Sequence, residues 1–141
     1  MDLEQLLDAL RGCRGVAGVN PQGDVILVWV RGRVVFVDRG RLNSHAITVI
    51  CPVRTLDQQA DVERALAEAA NSRWASALLV DRGQGGNLLM VQAQLILPTP
   101  DPNDPMNKLA QLCTPRSLCL VLQAVVDLAN RLATPVGPEG A

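Results

Sequence analysis

The sequence predicts an α+β fold in the order α-β-β-β-α-β-β-α, a mostly antiparallel five-stranded sheet with helices packed mainly on one face. Three observations lead there. The stretch Asp24–Arg41, DVILVWVRGRVVFVDRGR, holds two runs of β-branched and aromatic residues, Val25–Val30 and Arg33–Val37, around Arg31-Gly32. A two-residue turn needs positive φ, which glycine adopts without strain, so this is the pattern of a tight hairpin. The strand-like runs are also segregated from the helical ones rather than alternating with them. Finally, Leu118, Leu122, Val125, Ala129 and Leu132 recur at helical spacing, with Val121 and Leu128 widening the stripe.

In chain order, Leu3, Leu6, Leu7 and Leu10 mark an opening amphipathic helix. Asp2 with Gln5 can cap its start, and Gly12 or Gly15 can end it. Val16–Val19 is a short strand candidate, and Asn20-Pro21-Gln22-Gly23 reads as a turn. After the hairpin, Arg39-Gly40-Arg41 repeats the turn chemistry, and Ala46–Cys51 gives another strand, stopped by Pro52. Thr55 and Gln58 suggest a capping box for a helix running to about Asn71, with Val62, Leu66 and Ala69 inward. Ala75–Val80 and Asn87–Leu97 form a second hairpin. Pro98, Pro100, Pro102 and Pro105 impose an extended spacer, and Asp104-Pro105 and Thr114-Pro115 are helix starts. Residues 1–133 make one domain, and 134–141, rich in Pro and Gly, should be a disordered tail.

Composition bounds the function. Of 141 residues, 48% are hydrophobic and only three are aromatic: Trp29, Phe36 and Trp74. The core must therefore be aliphatic. A net charge of −1 gives no global attraction to nucleic acid or anionic membrane. No apolar run approaches the ~20 residues of a membrane span. Glu4 and Asp8 stand where a signal peptide would be basic and then apolar, so a cytoplasmic location is expected. Cys13, Cys51, Cys113 and Cys119 lack short paired spacing, so neither a disulfide framework nor zinc is expected. They read as small buried hydrophobes, and no metal or cofactor is implied.

Motifs of catalysis are missing. The single histidine, His45, lies six residues along a strand from Cys51. That separation is about 20 Å in a regular strand, which excludes a dyad. Gly83-Gln84-Gly85-Gly86 lacks the Lys-Ser/Thr of a phosphate loop and leads into a strand rather than a helix. There is no G-x-S-x-G elbow. The chain reads as a binding protein and not an enzyme.

The hairpin carries the functional reading. With Arg31-Gly32 as the turn, Val30 pairs with Arg33, Trp29 with Val34, Val28 with Val35 and Leu27 with Phe36. One face then holds Val25, Leu27, Trp29, Val34 and Phe36, and the other Ile26, Val28, Val30, Val35 and Val37. Both are apolar, and helices on one side leave the other as a patch of the kind that marks interfaces. The aromatic face is expected in the core, with Ile26, Val28, Val30, Val35 and Val37 facing a protein partner. Arg31, Arg33, Arg39 and Arg41 bracket the turns as candidate partner contacts. They also support a second reading, contact with nucleic-acid phosphates while Trp29 or Phe36 stacks on bases.

The element order resembles the type III secretion chaperone-like fold that YbjN-like bacterial proteins adopt. LEQLLDAL, VILVWVRGRVVFV, ADVERALAEAANSRWASALLV, NLLMVQAQLIL and LCLVLQAVVDLANRL carry the likeness, over about residues 2–133. The resemblance implies a small cytosolic homodimer without catalytic residues. It would bind client polypeptides through apolar surfaces and strand edges, or act in stress-related regulation. Secretion chaperones are typically strongly acidic; this near-neutral, Arg-rich chain, whose proline spacer is also longer than the pattern needs, is closer to the YbjN-like branch.

Overall fold

The structure, a computed structural model, describes residues 2–40, 46–97, 101–110 and 114–133. Arg41, His45, Pro98, Pro100, Cys113 and the expected tail lie outside the described residues. The architecture is α+β: one six-stranded antiparallel sheet in the order β1-β2-β3-β4-β6-β5. The strands are β1 (Val16–Gln22), β2 (Val25–Val30), β3 (Arg33–Asp38), β4 (Ala46–Leu56), β5 (Ser76–Asp81) and β6 (Asn87–Ile96). The helices are α1 (Leu3–Arg11), α2 (Gln59–Ala69), α3 (Met106–Ala110) and α4 (Pro115–Ala133).

Several elements form where local chemistry predicts. Asp2 and Gln5 close a reciprocal capping box on α1, and Gly12 caps its end. The Asp104 carboxylate accepts from the Met106 N–H at the start of α3, and Thr114 Oγ1 accepts from the Ser117 N–H at the start of α4. The β2–β3 turn has φ of 48° at Arg31 and 80° at Gly32, the positive pair a primed turn requires. Its register pairs Val30 with Arg33, Trp29 with Val34, Val28 with Val35 and Leu27 with Phe36, as the sequence predicts.

The differences have physical reasons. The sixth strand is β1, which runs on through Asn20-Pro21 to Gln22 instead of turning there. It is an edge strand, where proline's missing N–H costs no ladder bond. β4 likewise passes Pro52 and continues to Leu56, with a bulge between Pro52 and Arg54. β3 pairs with β4 only from Thr48 to Ile50, so Pro52 has β6 alone as a neighbour and its nitrogen is tolerated. Thr55 therefore sits inside β4 and caps nothing; α2 starts after Gln58 with no side-chain cap. Along α2, Val62, Ala65 and Ala69 are buried and Leu66 is exposed.

The core lies between one face of the sheet and the helices. From the sheet come Ile26, Val28, Val30, Val35, Val37, Val49, Cys51, Leu89 and Val91; from α4 come Leu118, Leu122, Val125, Leu128 and Ala129. α4 packs on β4 and β6, with α1 against it on one side and α2 on the other. Contrary to the expectation of four unpaired thiols, Cys13 and Cys119 form a disulfide across 106 residues, with Cα atoms 5.3 Å apart. No short spacing announces it, because the bridge forms where the chain just after α1 meets the second turn of α4. Cys51 is a free, buried cysteine.

Candidate functional site

The register assigns every sheet residue to a face. One row runs Leu27, Phe36, Ile50, Gln92 and Ser76 across β2, β3, β4, β6 and β5. None of these five is fully buried, and they lie on the side away from α1, α2 and α4. The adjacent row, Ile26, Val37, Val49 and Ala93, is buried beneath α1 and α4. The expected assignment of the two faces is thus reversed. Ile26, Val28, Val30, Val35 and Val37 are all 0% exposed and belong to the core. Val25, Leu27, Trp29, Val34 and Phe36 belong to the open face, where Trp29 is 39% and Val34 36% exposed. α4 packs on β4 and β6, and the buried rows it covers there, through Val49 and Ala93, continue into Ile26 and Val37 of the hairpin.

The open face is apolar over most of its width. Leu78 and Val80 of β5 and Met90 and Leu88 of β6 continue the patch away from Trp29. At one end it closes, where Ala46, Thr48 and Asp38 are buried. There Thr48 Oγ1 accepts from Gln94, and the Asp38 carboxylate accepts from the Gly40 N–H, so the polar atoms at that end are satisfied.

The arginines of the turns divide. Arg31 donates to the Asp127 carboxylate at 2.7 Å and to the Gln123 carbonyl at 3.4 Å. Arg33 donates to Asn130 Oδ1 at 2.6 Å. Both side chains therefore fold back onto α4 and tie the hairpin tip to it. Arg39 is half-buried after β3, and Arg41 lies outside the described residues. Sequence reasoning missed these contacts because 96 residues separate Arg31 from Asp127. The partner charge was visible, but the diagonal course of α4 over the sheet was not.

A second apolar feature is a cavity of about 660 Å³ between the first half of α4 and the end of β6, lined mainly by Trp74, Leu95, Ile96, Leu120, Val121 and Ala124. Asp127 is its ionisable group and is already paired with Arg31. Elsewhere burial pushes the Cys51 thiol up, against the pull of Arg33, so it stays protonated. Among the described residues, no group of three or more His, Cys, Asp or Glu is placed to hold a metal ion. Among them, too, no helix is long and apolar enough to cross a membrane.

No protein-family model and no curated protein matches the sequence. Among solved structures the chain is similar to "Crystal structure of YbjN, a putative transcription regulator from E. coli", with a TM-score of 0.50 and 14% identity. The match covers 90% of this chain and 93% of that one. It shows a YbjN-like fold.

Proposed function

We propose that this chain is a non-enzymatic protein-binding module, chaperone-like or regulatory, whose docking surface is the open face of its sheet. The observation that carries the reading is the asymmetry of that sheet. One face is filled by α1, α2 and α4, while the other presents Trp29, Val34, Leu78 and Val80 exposed and Leu27 and Phe36 half-buried among the described residues, with α3 packed against β6. A patch of several hundred Å² of this character is uncommon on a monomer surface unless a partner covers it. An exposed tryptophan within such a patch suits an interface anchor. The regulatory role that the E. coli structure's description gives to YbjN is in keeping with a binding function. Nucleic acid is the weaker partner. Arg31 and Arg33 are engaged with α4, so contact with phosphate would have to break those bonds first.

The test is suppression of aggregation. Added in stoichiometric amounts, the chain should lower the light scattering of a chemically denatured test protein diluted into buffer. Trp29→Glu with Val34→Glu should abolish that effect while leaving the far-UV circular dichroism unchanged. A double variant that protects as well as the parent would refute the assignment of the open face.

A further inference from the structure

α1 and α2 are tied to the rest of the fold in different ways. α2 is held by Arg54, which pairs with Asp61, and by the ion pair of Glu68 with Arg131 of α4. The ion pair of Arg11 with Asp8 lies within α1 and ties it to nothing else. α1 and the residues after it meet α4 through apolar packing, a hydrogen bond from Gln123 Nε2 to the Arg14 carbonyl, and the Cys13–Cys119 bridge. At nine residues, α1 is shorter than the roughly 12–15 that a helix needs to persist alone in water. It stays helical while Leu6, Leu7 and Leu10 are packed. The bridge itself is not sealed from solvent. Cys13 is buried, but Cys119 is only half-buried and stands next to the exposed Leu120.

We propose that the Cys13–Cys119 disulfide is a redox latch on α1. A dithiol reductant opens it, freeing α1 from α4 and uncovering Leu6, Leu7 and Leu10 and the side of α4 they cover. This does not rest on the open-face reading, which concerns the other side of the sheet. One thiolate of the reductant attacks Cys119 Sγ, the S–S bond breaks, and Cys13 leaves as a thiolate that takes up a proton. The Ala9 carbonyl oxygen, 3.1 Å from Cys13 Sγ, is placed to accept from the thiol so formed. The second thiolate of the reductant then displaces Cys119, which is protonated in turn. The protein gains two electrons and two protons, and the dithiol supplies them in closing its own disulfide. With the bridge intact, a detached α1 stays tethered at its end and gains little freedom. With the bridge cut, it gains the conformational freedom of the whole segment up to β1. The exposed hydrogen bond to Arg14 is worth too little to replace the bridge.

The experiment is hydrogen–deuterium exchange of the full chain, oxidised and then reduced with dithiothreitol, read by mass spectrometry of peptic fragments. Residues 6–12, whose N–H groups are hydrogen-bonded along α1, are compared with β4 and β6. Both regions should exchange slowly in the oxidised chain. Reduction should speed residues 6–12 by at least about a hundredfold more than β4 and β6, and reoxidation should reverse it. Cys13→Ser with Cys119→Ser should show the reduced pattern without reductant and ignore dithiothreitol. Equal acceleration of α1 and the central strands would overturn the proposal, since the bridge would then staple the whole fold. So would an α1 already unprotected in the oxidised chain, or one as protected after reduction as before. An oxidised parent in which the Cys13 and Cys119 fragments are not linked would also overturn it. Exchange of α1 is read apart from Trp29, so failure of the latch and failure of the open face are distinguishable.

Discussion

At the scale of single residues, the decisive contrast is between neighbours in β2. Val28 is fully buried and Trp29 is 39% exposed, although the tryptophan is the larger apolar group. The usual expectation that truncating a tryptophan costs about 3–5 kcal/mol holds for a core position. Here Trp29→Ala should cost about 1 kcal/mol or less in denaturant unfolding. Val28→Ala, which opens a cavity under the helices, should cost more, about 1–3 kcal/mol. Equal losses, or a larger one at Trp29, would contradict the placement of the faces. The alternation that separates these residues was legible in the sequence, and so was their cross-strand pairing. Which alternate set faced inward was not, because both sets are apolar and no polar residue in the hairpin votes for either side. The row that would have decided it lies in β6, where Gln92 and Gln94 share the side of Phe36 and Thr48.

At the scale of elements, side-chain bonds between segments hold the helices in place. Arg54 of β4 makes a two-pronged pair with Asp61 of α2, at 2.7 and 2.9 Å, and donates to the Leu132 carbonyl near the end of α4 at 2.8 Å. One guanidinium thus joins a strand to both flanking helices. Hydrogen bonding from Arg54 holds the Asp61 carboxyl below its ordinary range. A depressed carboxyl stabilises the fold above its unfolded pKa, and that contribution fades as pH falls through the lower folded value. Asp61→Asn should therefore cost about 1 kcal/mol near neutral pH and make stability less dependent on pH below about 4. Urea unfolding at pH 7 and pH 3 checks both. A cost that is the same at both pH values would show that the pair is not what the carboxylate contributes. Helix starts set by capping residues were legible for α1, α3 and α4. The start of α2 was misread because Thr55 matched a capping pattern while the bulge after Pro52 carried β4 past it.

At the scale of the whole molecule, order and layering could be read from the sequence, since they follow from hydrophobic period and turn chemistry. Contacts between distant segments could not, and the Cys13–Cys119 bridge is the clearest of them. Closing a loop of this size restricts the unfolded chain by up to about 4–5 kcal/mol in the chain-entropy view. Cys13→Ser with Cys119→Ser should lower stability by about 2–5 kcal/mol. Dithiothreitol should lower the parent to the level of that variant and leave the variant itself unchanged. A parent indifferent to reductant would mean that the two thiols are not joined.

The central claim, that a folded sheet presents an open apolar face to other polypeptides, is tested most directly by Trp29 fluorescence. In Trp74→Phe the remaining tryptophan is Trp29. Its emission should be that of a partly hydrated indole, quenchable by acrylamide. Titration with reduced, carboxymethylated ribonuclease A, a permanently unfolded polypeptide without tryptophan, should shift that emission to shorter wavelength and shield it from the quencher in a saturable way. Emission already blue and shielded in the free protein, or unmoved at saturating polypeptide, would contradict the claim.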